Sequence, residues 1–241
     1  MTTTANDYKQ PQTKITTLGI TKAGITTADD TIRITEIFLS LQGETRTVGL
    51  PTAFIRLTGC PLRCTYCDTT YAFRGGEILS IHDILATVKA FGAHYVTVTG
   101  GEPLAQANCL PLLTQLCDAG YEVSLETSGA LDISKVDQRV IKVLDIKTPG
   151  SNEVMRNRFE NIDHLLKHDQ VKFVICDRVD YEWSKKIVDE YQLNQHCEVL
   201  FSPSYQQLEN RALADWIIAD RLPVRFQIQL HKYIWGDVPG K

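Results

Sequence analysis

Three cysteines close together in the chain constrain its fold more than any other feature. Cys60, Cys64 and Cys67 follow the strand-like segment 53–58 and lie in one short loop. A cubic [4Fe–4S] cluster usually takes four cysteine thiolates, so three thiolates in one loop could hold a cluster and leave one iron open to another ligand. Pro61 fixes its own φ and stiffens the first half of the loop. The open iron indicates chemistry at the end of a strand.

The main alternative for this loop is a zinc site. Cys-x2-Cys pairs occur in zinc-binding proteins, but such proteins usually supply two separated pairs and four ligands. The other four cysteines are widely spaced, and three of them lie in apolar runs, where cysteine behaves as a small hydrophobic residue. These four residues, expected to be inert, are Cys109, Cys117, Cys176 and Cys197. The spacing therefore favours an iron–sulfur cluster.

Length and composition limit the domain organisation and the kind of substrate. The chain has 241 residues, 43% of them hydrophobic, which suits one globular domain. We predict a flexible, Thr-rich N-terminal extension over 1–30 and the domain over 31–241. A formal net charge of -4 without blocks of Lys or Arg argues against nucleic acid. A small-molecule substrate is favoured.

The sequence also bears on location. No apolar run approaches the roughly 20 residues of a spanning helix, and residues 1–30 lack the hydrophobic region of a signal peptide. The seven cysteines form no disulfide framework, which fits a reducing compartment. We therefore expect a cytoplasmic protein without a membrane partner.

Strand and helix signals alternate along the chain. The predicted strands begin with Ile32, Ile34, Ile37 and Leu39 and continue over 53–58, 95–99, 121–126, 140–146, 171–176, 199–202 and 224–230. Helical spacing lies between them, over 81–88, 104–119, 162–166, 183–191 and 208–219. Repeated β then α units imply a parallel sheet. The predicted fold class is α/β, a partial (incomplete) TIM-like barrel of about six parallel strands with flanking helices.

Polar segments follow the predicted strands at the edge where such folds bind ligands. After the strand 95–99 comes a glycine pair, and glycines there let a ligand approach the backbone. On its own, such a turn more often only ends a strand and has no role in binding. The segments expected at one mouth are the cysteine loop, Thr99–Glu102, Glu126–Gly129, Asp145–Thr148 and Ser202–Tyr205.

The cysteine loop, with Tyr66 before its last cysteine, and the Gly-Gly-Glu-Pro turn resemble the motifs of radical S-adenosylmethionine enzymes. The resemblance implies a [4Fe–4S] cluster on Cys60, Cys64 and Cys67, and a bound S-adenosylmethionine that is cleaved to a deoxyadenosyl radical. It implies no catalytic side chain, because the cofactors carry the radical. The implied cofactor-binding residues are Tyr66, Cys67, Asp68, Gly100, Gly101, Glu102, Glu126, Ser128, Asp145, Ile146, Lys147, Ser202, Pro203, Ser204 and Tyr205.

Further segments narrow the resemblance. Leu41-Gln42-Gly43-Glu44, Arg56, Cys67-Asp68-Thr69 and His231-Lys232-Tyr233 are together similar to the 7-carboxy-7-deazaguanine synthase family, over roughly residues 31–235. That family comprises lyases that convert 6-carboxy-5,6,7,8-tetrahydropterin to 7-carboxy-7-deazaguanine, with ring contraction and loss of ammonia, for queuosine and related compounds. The implied substrate-binding residues are Leu41, Gln42, Gly43, Glu44, Arg56, Thr99 and His231.

The same resemblance implies further partners. Thr69 would bind Mg²⁺ together with the substrate, which suits an ion that prefers oxygen ligands. An electron donor such as flavodoxin or ferredoxin would reduce the cluster, and the chain would form a homodimer. Structural readings stay open for Arg56, as a strand arginine paired with a carboxylate, and for His231, as a core histidine. The rival function is that of a glycyl-radical-enzyme activating enzyme, which acts on a partner protein.

Overall fold

The computed structural model describes residues 30–241, so the predicted extension 1–30 lies outside the described residues apart from Asp30. Nine strands form one sheet in the order β3-β1-β2-β4-β5-β6-β7-β8-β9. Their bounds are β1 Thr31–Leu41, β2 Pro51–Leu57, β3 Glu77–Ser80, β4 Tyr95–Gly100, β5 Glu122–Thr127, β6 Ile141–Asp145, β7 Gln170–Ile175, β8 Glu198–Pro203 and β9 Arg225–Phe226. No helix within these residues is long and apolar enough to cross a membrane.

The predicted parallel arrangement is confirmed. β1 runs antiparallel to both of its neighbours, β2 and β3. The remaining neighbours, in the order β2-β4-β5-β6-β7-β8-β9, all pair in parallel. Six of these parallel strands have five or more residues, and β9 has two. This open, curved arrangement fits a partial barrel with its carboxyl strand ends at one mouth.

Six helices accompany the sheet: α1 Ile81–Phe91, α2 Cys109–Asp118, α3 Arg178–Glu190, α4 Leu193–His196, α5 Asn210–Asp220 and α6 Leu230–Trp235. Ser80 caps the first turn of α1, since its Oγ accepts a hydrogen bond from the backbone N–H of Asp83. α2 begins later than predicted, with Pro111 in its first turn, where proline costs no hydrogen bond.

Three sequence predictions for elements were wrong or incomplete. The predicted strand 224–230 is β9 for only two residues, after which the chain leaves the sheet and forms α6. The predicted helix 162–166 is a short 3₁₀ helix over Phe159–His164. β3 was missed because its four residues are too few to show a period, and pairing with β1 is what makes them a strand.

The C-terminal part of the chain packs against the loop between β1 and β2. The N–H of Leu230 donates to the carbonyl of Gly43 at 2.9 Å, and the N–H of Thr45 donates to Oε1 of Gln227 at 2.9 Å. A Cβ on Gly43 would lie 1.9 Å from Nδ1 of His231. A side chain at position 43 would therefore displace the His231 ring, which lies at the mouth of the sheet.

Candidate active site

One cavity at the mouth brings together nearly all of the predicted site residues. Its lining includes the three cysteines of the loop and residues from the carboxyl ends of β4, β5, β6 and β8. The predicted residues that line it are Leu41, Gly43, Glu44, Arg56, Cys60, Cys64, Tyr66, Cys67, Asp68, Thr69, Thr99, Gly100, Gly101, Glu126, Ser128, Asp145, Lys147, Ser202, Pro203, Ser204, Tyr205 and His231. Motifs from distant parts of the sequence thus share one site.

Three predicted residues do not line this cavity. Ile146 is 3% exposed and belongs to the hydrophobic core. Gln42 is 2% exposed, and its side chain donates to Thr97 at 3.0 Å and accepts from the N–H of Glu44 at 3.2 Å. Glu102 is fully buried. The side chains of Gln42 and Glu102 therefore stabilise the segments around the cavity and do not line it.

The cysteine loop is fastened directly to the Gly-Gly turn. The N–H of Gly101 donates to the carbonyl of Leu57 at 3.1 Å, and the N–H of Glu102 donates to the carbonyl of Gly59 at 2.8 Å. A Cβ on Gly101 would lie 2.2 Å from the Gly59 oxygen, which is backbone and cannot rotate away. Gly59 itself has φ +99°, a conformation that favours glycine. The two motifs form one unit.

The thiols of the cysteine loop have raised pKa values, which bears on the kind of ligand that they can bind. Burial, which outweighs the attraction of Lys147, raises the pKa of Cys64 to about 11, and burial also raises the pKa of Cys60. Thiolate ligands in such a setting require a bound metal to displace their protons. The cluster therefore fits the loop as a positively charged partner for its sulfur atoms.

Two buried polar atoms beside the loop lack partners among residues 30–241. They are the hydroxyl of Tyr66 and Oδ1 of Asp145. Buried polar groups normally have a hydrogen-bond partner, so both atoms indicate a missing ligand. The other oxygen of Asp145 lies 3.0 Å from Nζ of Lys147. A polar cofactor with hydroxyl, amino and carboxylate groups, such as S-adenosylmethionine, fits this donor set.

The carboxylate of Glu102 connects the ends of two strands. It accepts hydrogen bonds from the N–H of Leu104 at 3.0 Å and from the N–H of Ser128 at 2.7 Å. The hydroxyls of Thr127 and Ser128 donate to it as well. Glu102 thus joins the turn after β4 to the end of β5, which holds both segments at the cavity.

A buried network of charges lies deeper in the cavity and was missed by the sequence analysis. Nζ of Lys172, on β7, lies 2.9 Å from Oε2 of Glu44 and 3.7 Å from Oδ2 of Asp145. Burial opposes the charge of Lys172, but these carboxylates outweigh burial and raise its pKa well above the usual value. A charged residue within a buried parallel strand was the available signal.

Glu126 completes this network. Its Oε2 accepts a hydrogen bond from the hydroxyl of Thr99 at 3.0 Å. Burial raises the pKa of Glu126, whereas Lys172 lowers it. Lys172 therefore favours the charged form of Glu126, against the effect of burial.

Arg56 is positioned by Glu36 at the other side of the network. Nε of Arg56 donates to Oε1 of Glu36 at 2.7 Å, and the hydroxyl of Tyr71 donates to the same oxygen at 2.8 Å. The terminal nitrogens of Arg56 make no hydrogen bond within residues 30–241. The ion pair thus leaves the guanidinium with donors for a ligand.

Asp68 connects the loop to α6. It accepts from the hydroxyl of Thr69 at 2.9 Å, from Nε2 of Gln229 at 3.1 Å and from Nζ of Lys232 at 2.7 Å. Burial alone would raise the pKa of Asp68, but these three partners together hold the pKa below its ordinary value. Partial burial lowers the pKa of His231, which favours a neutral ring at pH 7.

Comparisons with known proteins agree with this geometry. The model of the Radical SAM superfamily matches residues 54–146. The 7-carboxy-7-deazaguanine synthase of Chlorobaculum tepidum is 45% identical over 208 residues, which cover 85% of this chain and 94% of that protein. The synthase of Koribacter versatilis is 41% identical, covering 85% of this chain and 97% of that protein.

A solved structure supports the same relationship. The crystal structure of QueE from Escherichia coli matches with a TM-score of 0.68 and 25% sequence identity, over 83% of this chain and 95% of that chain. The fold, the cysteine loop and the curated relatives therefore agree. The chain belongs to the 7-carboxy-7-deazaguanine synthase family of radical S-adenosylmethionine enzymes.

Proposed function

We propose that this chain converts 6-carboxy-5,6,7,8-tetrahydropterin to 7-carboxy-7-deazaguanine with loss of ammonia, as a lyase of queuosine or related 7-deazapurine biosynthesis. The supporting observation is that Glu44 and Arg56 share one cavity with the cysteine loop. A bound cluster and S-adenosylmethionine supply radical chemistry. The polypeptide binds and orients the substrate and excludes water.

Glu44 is suited to the guanidine-like edge of a pterin. Its carboxylate is held by Lys172 through Oε2, and its Oε1 makes no hydrogen bond within residues 30–241. The amino group and ring N–H of a pterin are donors that can reach such an oxygen. A hydrogen bond to a charged group contributes about 1.5–3 kcal/mol, which is enough to orient the ring.

Arg56 and His231 are suited to the remaining polar groups of the substrate. The terminal nitrogens of Arg56 can donate to the carboxylate of the pterin as a planar fork. A neutral His231 can donate or accept through its ring nitrogens. We propose both as substrate ligands, together with Leu41, Gly43 and Thr99 at the same cavity.

Residues from the loop and the strand ends are the proposed contacts for S-adenosylmethionine. The partnerless atoms of Tyr66 and Asp145 support this assignment. The other proposed contacts at the cavity are Cys67, Asp68, Gly100, Gly101, Glu126, Ser128, Lys147, Ser202, Pro203, Ser204 and Tyr205.

Thr69 is the proposed protein ligand of Mg²⁺. Its hydroxyl and the Asp68 carboxylate are 2.9 Å apart at the cavity. Oxygen atoms of this kind suit Mg²⁺, which often takes only one or two ligands from the protein and the rest from substrate and water. The ion would neutralise charge on the substrate.

The proposed reaction is tested by anaerobic mass spectrometry. The reconstituted, dithionite-reduced protein with S-adenosylmethionine, Mg²⁺ and 6-carboxytetrahydropterin is expected to form the deazapurine with little net consumption of S-adenosylmethionine. Cys64→Ser, which lacks one cluster ligand, is the control and should form none. Deoxyadenosine release without product, from protein shown to hold its cluster, would contradict this substrate and favour a glycyl-radical activating enzyme.

Thr69→Val is expected to weaken divalent-cation binding at least tenfold and to lower product formation roughly 10- to 100-fold at limiting Mg²⁺. Electron paramagnetic resonance of Mn²⁺, with substrate present, measures binding independently of turnover. Thr65→Val is the matched control, because the Thr65 hydroxyl donates to the carbonyl of Gly150 and lies off the cavity. Equal Mn²⁺ affinity in Thr69→Val and wild type would refute the assignment.

Other features are proposed from the family relationship. We propose that the chain works in the cytoplasm as a homodimer, with 1–30 as an extension and 31–241 as the partial-barrel domain. A flavodoxin or ferredoxin is the proposed electron donor.

A further inference from the structure

Four exposed arginines lie on neighbouring segments beside the cysteine loop. They are Arg33, Arg63, Arg74 and Arg156, and we refer to them as the arginine strip. The whole chain has a formal net charge of -4, so this concentration of positive charge is local. None of the four lines the cavity, so substrate binding does not account for it.

Contacts within the structure connect the segments that carry the four arginines. Nη1 of Arg33 lies 3.3 Å from the carbonyl oxygens of Gly75 and Gly76, next to Arg74 in the chain. The guanidinium carbon of Arg63 lies 4.2 Å from the centroid of the Phe73 ring. These contacts bring Arg33 and Arg63 to the segment 73–76, which also carries Arg74.

Glu153 connects the short helix that carries Arg156 to the cysteine loop. Its carboxylate accepts the N–H of Arg63 at 2.5 Å, and its carbonyl accepts the N–H of Arg156 at 2.8 Å. The strip therefore runs from β1 across the segment after the cysteine loop to the short helix Val154–Arg156.

Arg63 fixes the strip to the outer side of the cysteine loop. Its Nη1 donates to the carbonyl of Cys60 at 2.8 Å and to the carbonyl of Leu62 at 2.6 Å. Pro61 and Arg63 are both exposed, whereas the three cysteines face the cavity. A protein that contacts the strip would thus be separated from a bound cluster by little more than this loop.

The outer members of the strip are available to a partner. The side chains of Arg74 and Arg156 make no hydrogen bond or ion pair within residues 30–241, and each has a glutamate three positions away in the chain, Glu77 and Glu153 respectively. Met155, beside Arg156, is 90% exposed. Arginine and methionine are enriched in protein–protein interfaces, where lysine is depleted.

We propose that the arginine strip is the docking surface for an acidic one-electron carrier protein. The proposal rests on the proposed function, which needs a reduced cluster. One electron passes from the carrier, which is oxidised, to the cluster, which is reduced, and no covalent bond is made or broken. Opposite charges steer such encounters and raise the association rate.

A second copy of this chain is a poorer occupant of the strip. Where a two-fold axis passes through the strip, the arginines of both copies face each other and repel, and no acidic cluster within the strip offsets this. Nucleic acid is a further anionic partner that arginines can bind, and its binding would be visible in the same titration. The acidic carrier is the occupant that both the charge and the neighbouring cysteine loop support.

The test is a charge-reversal pair, Arg74→Glu with Arg156→Glu. The matched control is Lys89→Glu with Lys135→Glu, which makes the same change in net charge on exposed side chains of α1 and of the connection before β6. The probe is a flavodoxin with an acidic surface, in its reduced hydroquinone form. Three quantities are measured at low and high salt: the Kd of the complex between this flavodoxin and the protein, the rate of product formation driven by the flavodoxin, and the rate driven by dithionite.

The arginine-strip pair is expected to raise the Kd roughly tenfold or more and to lower the carrier-driven kcat/KM equally, with smaller differences at high salt. Its dithionite-driven rate should stay within about twofold of wild type. An equal loss in the control pair, an unchanged Kd, tighter binding of nucleic acid than of flavodoxin, or no binding to wild type would overturn the proposal. Absence of product with dithionite in wild type would instead refute the proposed function, and the Kd comparison would still stand.

Discussion

Lys172→Met is expected to lower both the stability of the protein and its kcat/KM for the proposed pterin substrate. Lys172 lies 2.9 Å from Glu44 and 3.7 Å from Asp145, with its side chain 11% exposed. Removing one partner of a buried ion pair leaves the other charge uncompensated, at a cost of about 3–5 kcal/mol. Unfolding temperature should therefore fall by roughly 6–20 °C for a protein of this size.

The effect on activity has a separate physical cause. Without Lys172, the Glu44 carboxylate loses the group that holds it toward the substrate, and the pKa of Glu126 rises further because Lys172 lowers it. The loss of one charged hydrogen bond corresponds to roughly a 10- to 100-fold fall in kcat/KM. Because Glu126 then ionises only at higher pH, the pH profile of the variant should shift upward. Steady-state kinetics across pH measures both effects.

Two variants separate a role at the cavity from general stability. Lys142 forms a comparable buried pair, 2.9 Å from Asp169, but does not line the cavity. Lys142→Met should lose similar stability while kcat/KM stays within about threefold. Lys172→Arg retains the charge and should recover part of the activity. If Lys172→Met and Lys142→Met behave alike in the folded state, Lys172 has only a structural role.

The local motifs could be predicted from the sequence for two reasons. Their residues are close together in the chain, and a parallel sheet places the carboxyl ends of its strands at one edge. The cysteine loop and the glycine pair both follow strands, and neighbouring parallel strands bring their carboxyl ends together. The structure adds the reason for Gly101, which is contact with the backbone of Gly59. Spacing alone could not show which atoms would meet.

The charge network could not be predicted because its partners are distant in the sequence. Lys172 and Glu44 are 128 residues apart, and Lys232 and Asp68 are 164 residues apart. The error in the segment 224–230 has a similar cause. Its alternating pattern suits a strand, but the contact of Leu230 with Gly43 and the end of pairing at Phe226 draw the chain away from the sheet.

Glu102→Gln is expected to destabilise the protein by about 2–4 kcal/mol and to weaken S-adenosylmethionine binding roughly 10- to 100-fold. One carboxylate oxygen of Glu102 accepts the backbone N–H of Leu104, and the other accepts that of Ser128. An amide has only one acceptor oxygen, so one of these N–H groups would face another donor. A buried polar group left without its partner costs about 1–3 kcal/mol, and the loss of charge adds to this.

Comparing the loss of stability with the loss of S-adenosylmethionine binding shows how Glu102 acts on the cofactor. Thermal unfolding of the cluster-free protein measures the loss of stability. Equilibrium binding of S-adenosylmethionine to the reconstituted protein measures the loss of affinity. Glu122→Gln, at a partly exposed position where β5 begins, should change neither. Weakened binding at unchanged stability would mean that the carboxylate contacts the cofactor directly. Loss of both would show that Glu102 acts by joining the turn after β4 to the end of β5, because its carboxylate is already occupied by those two segments.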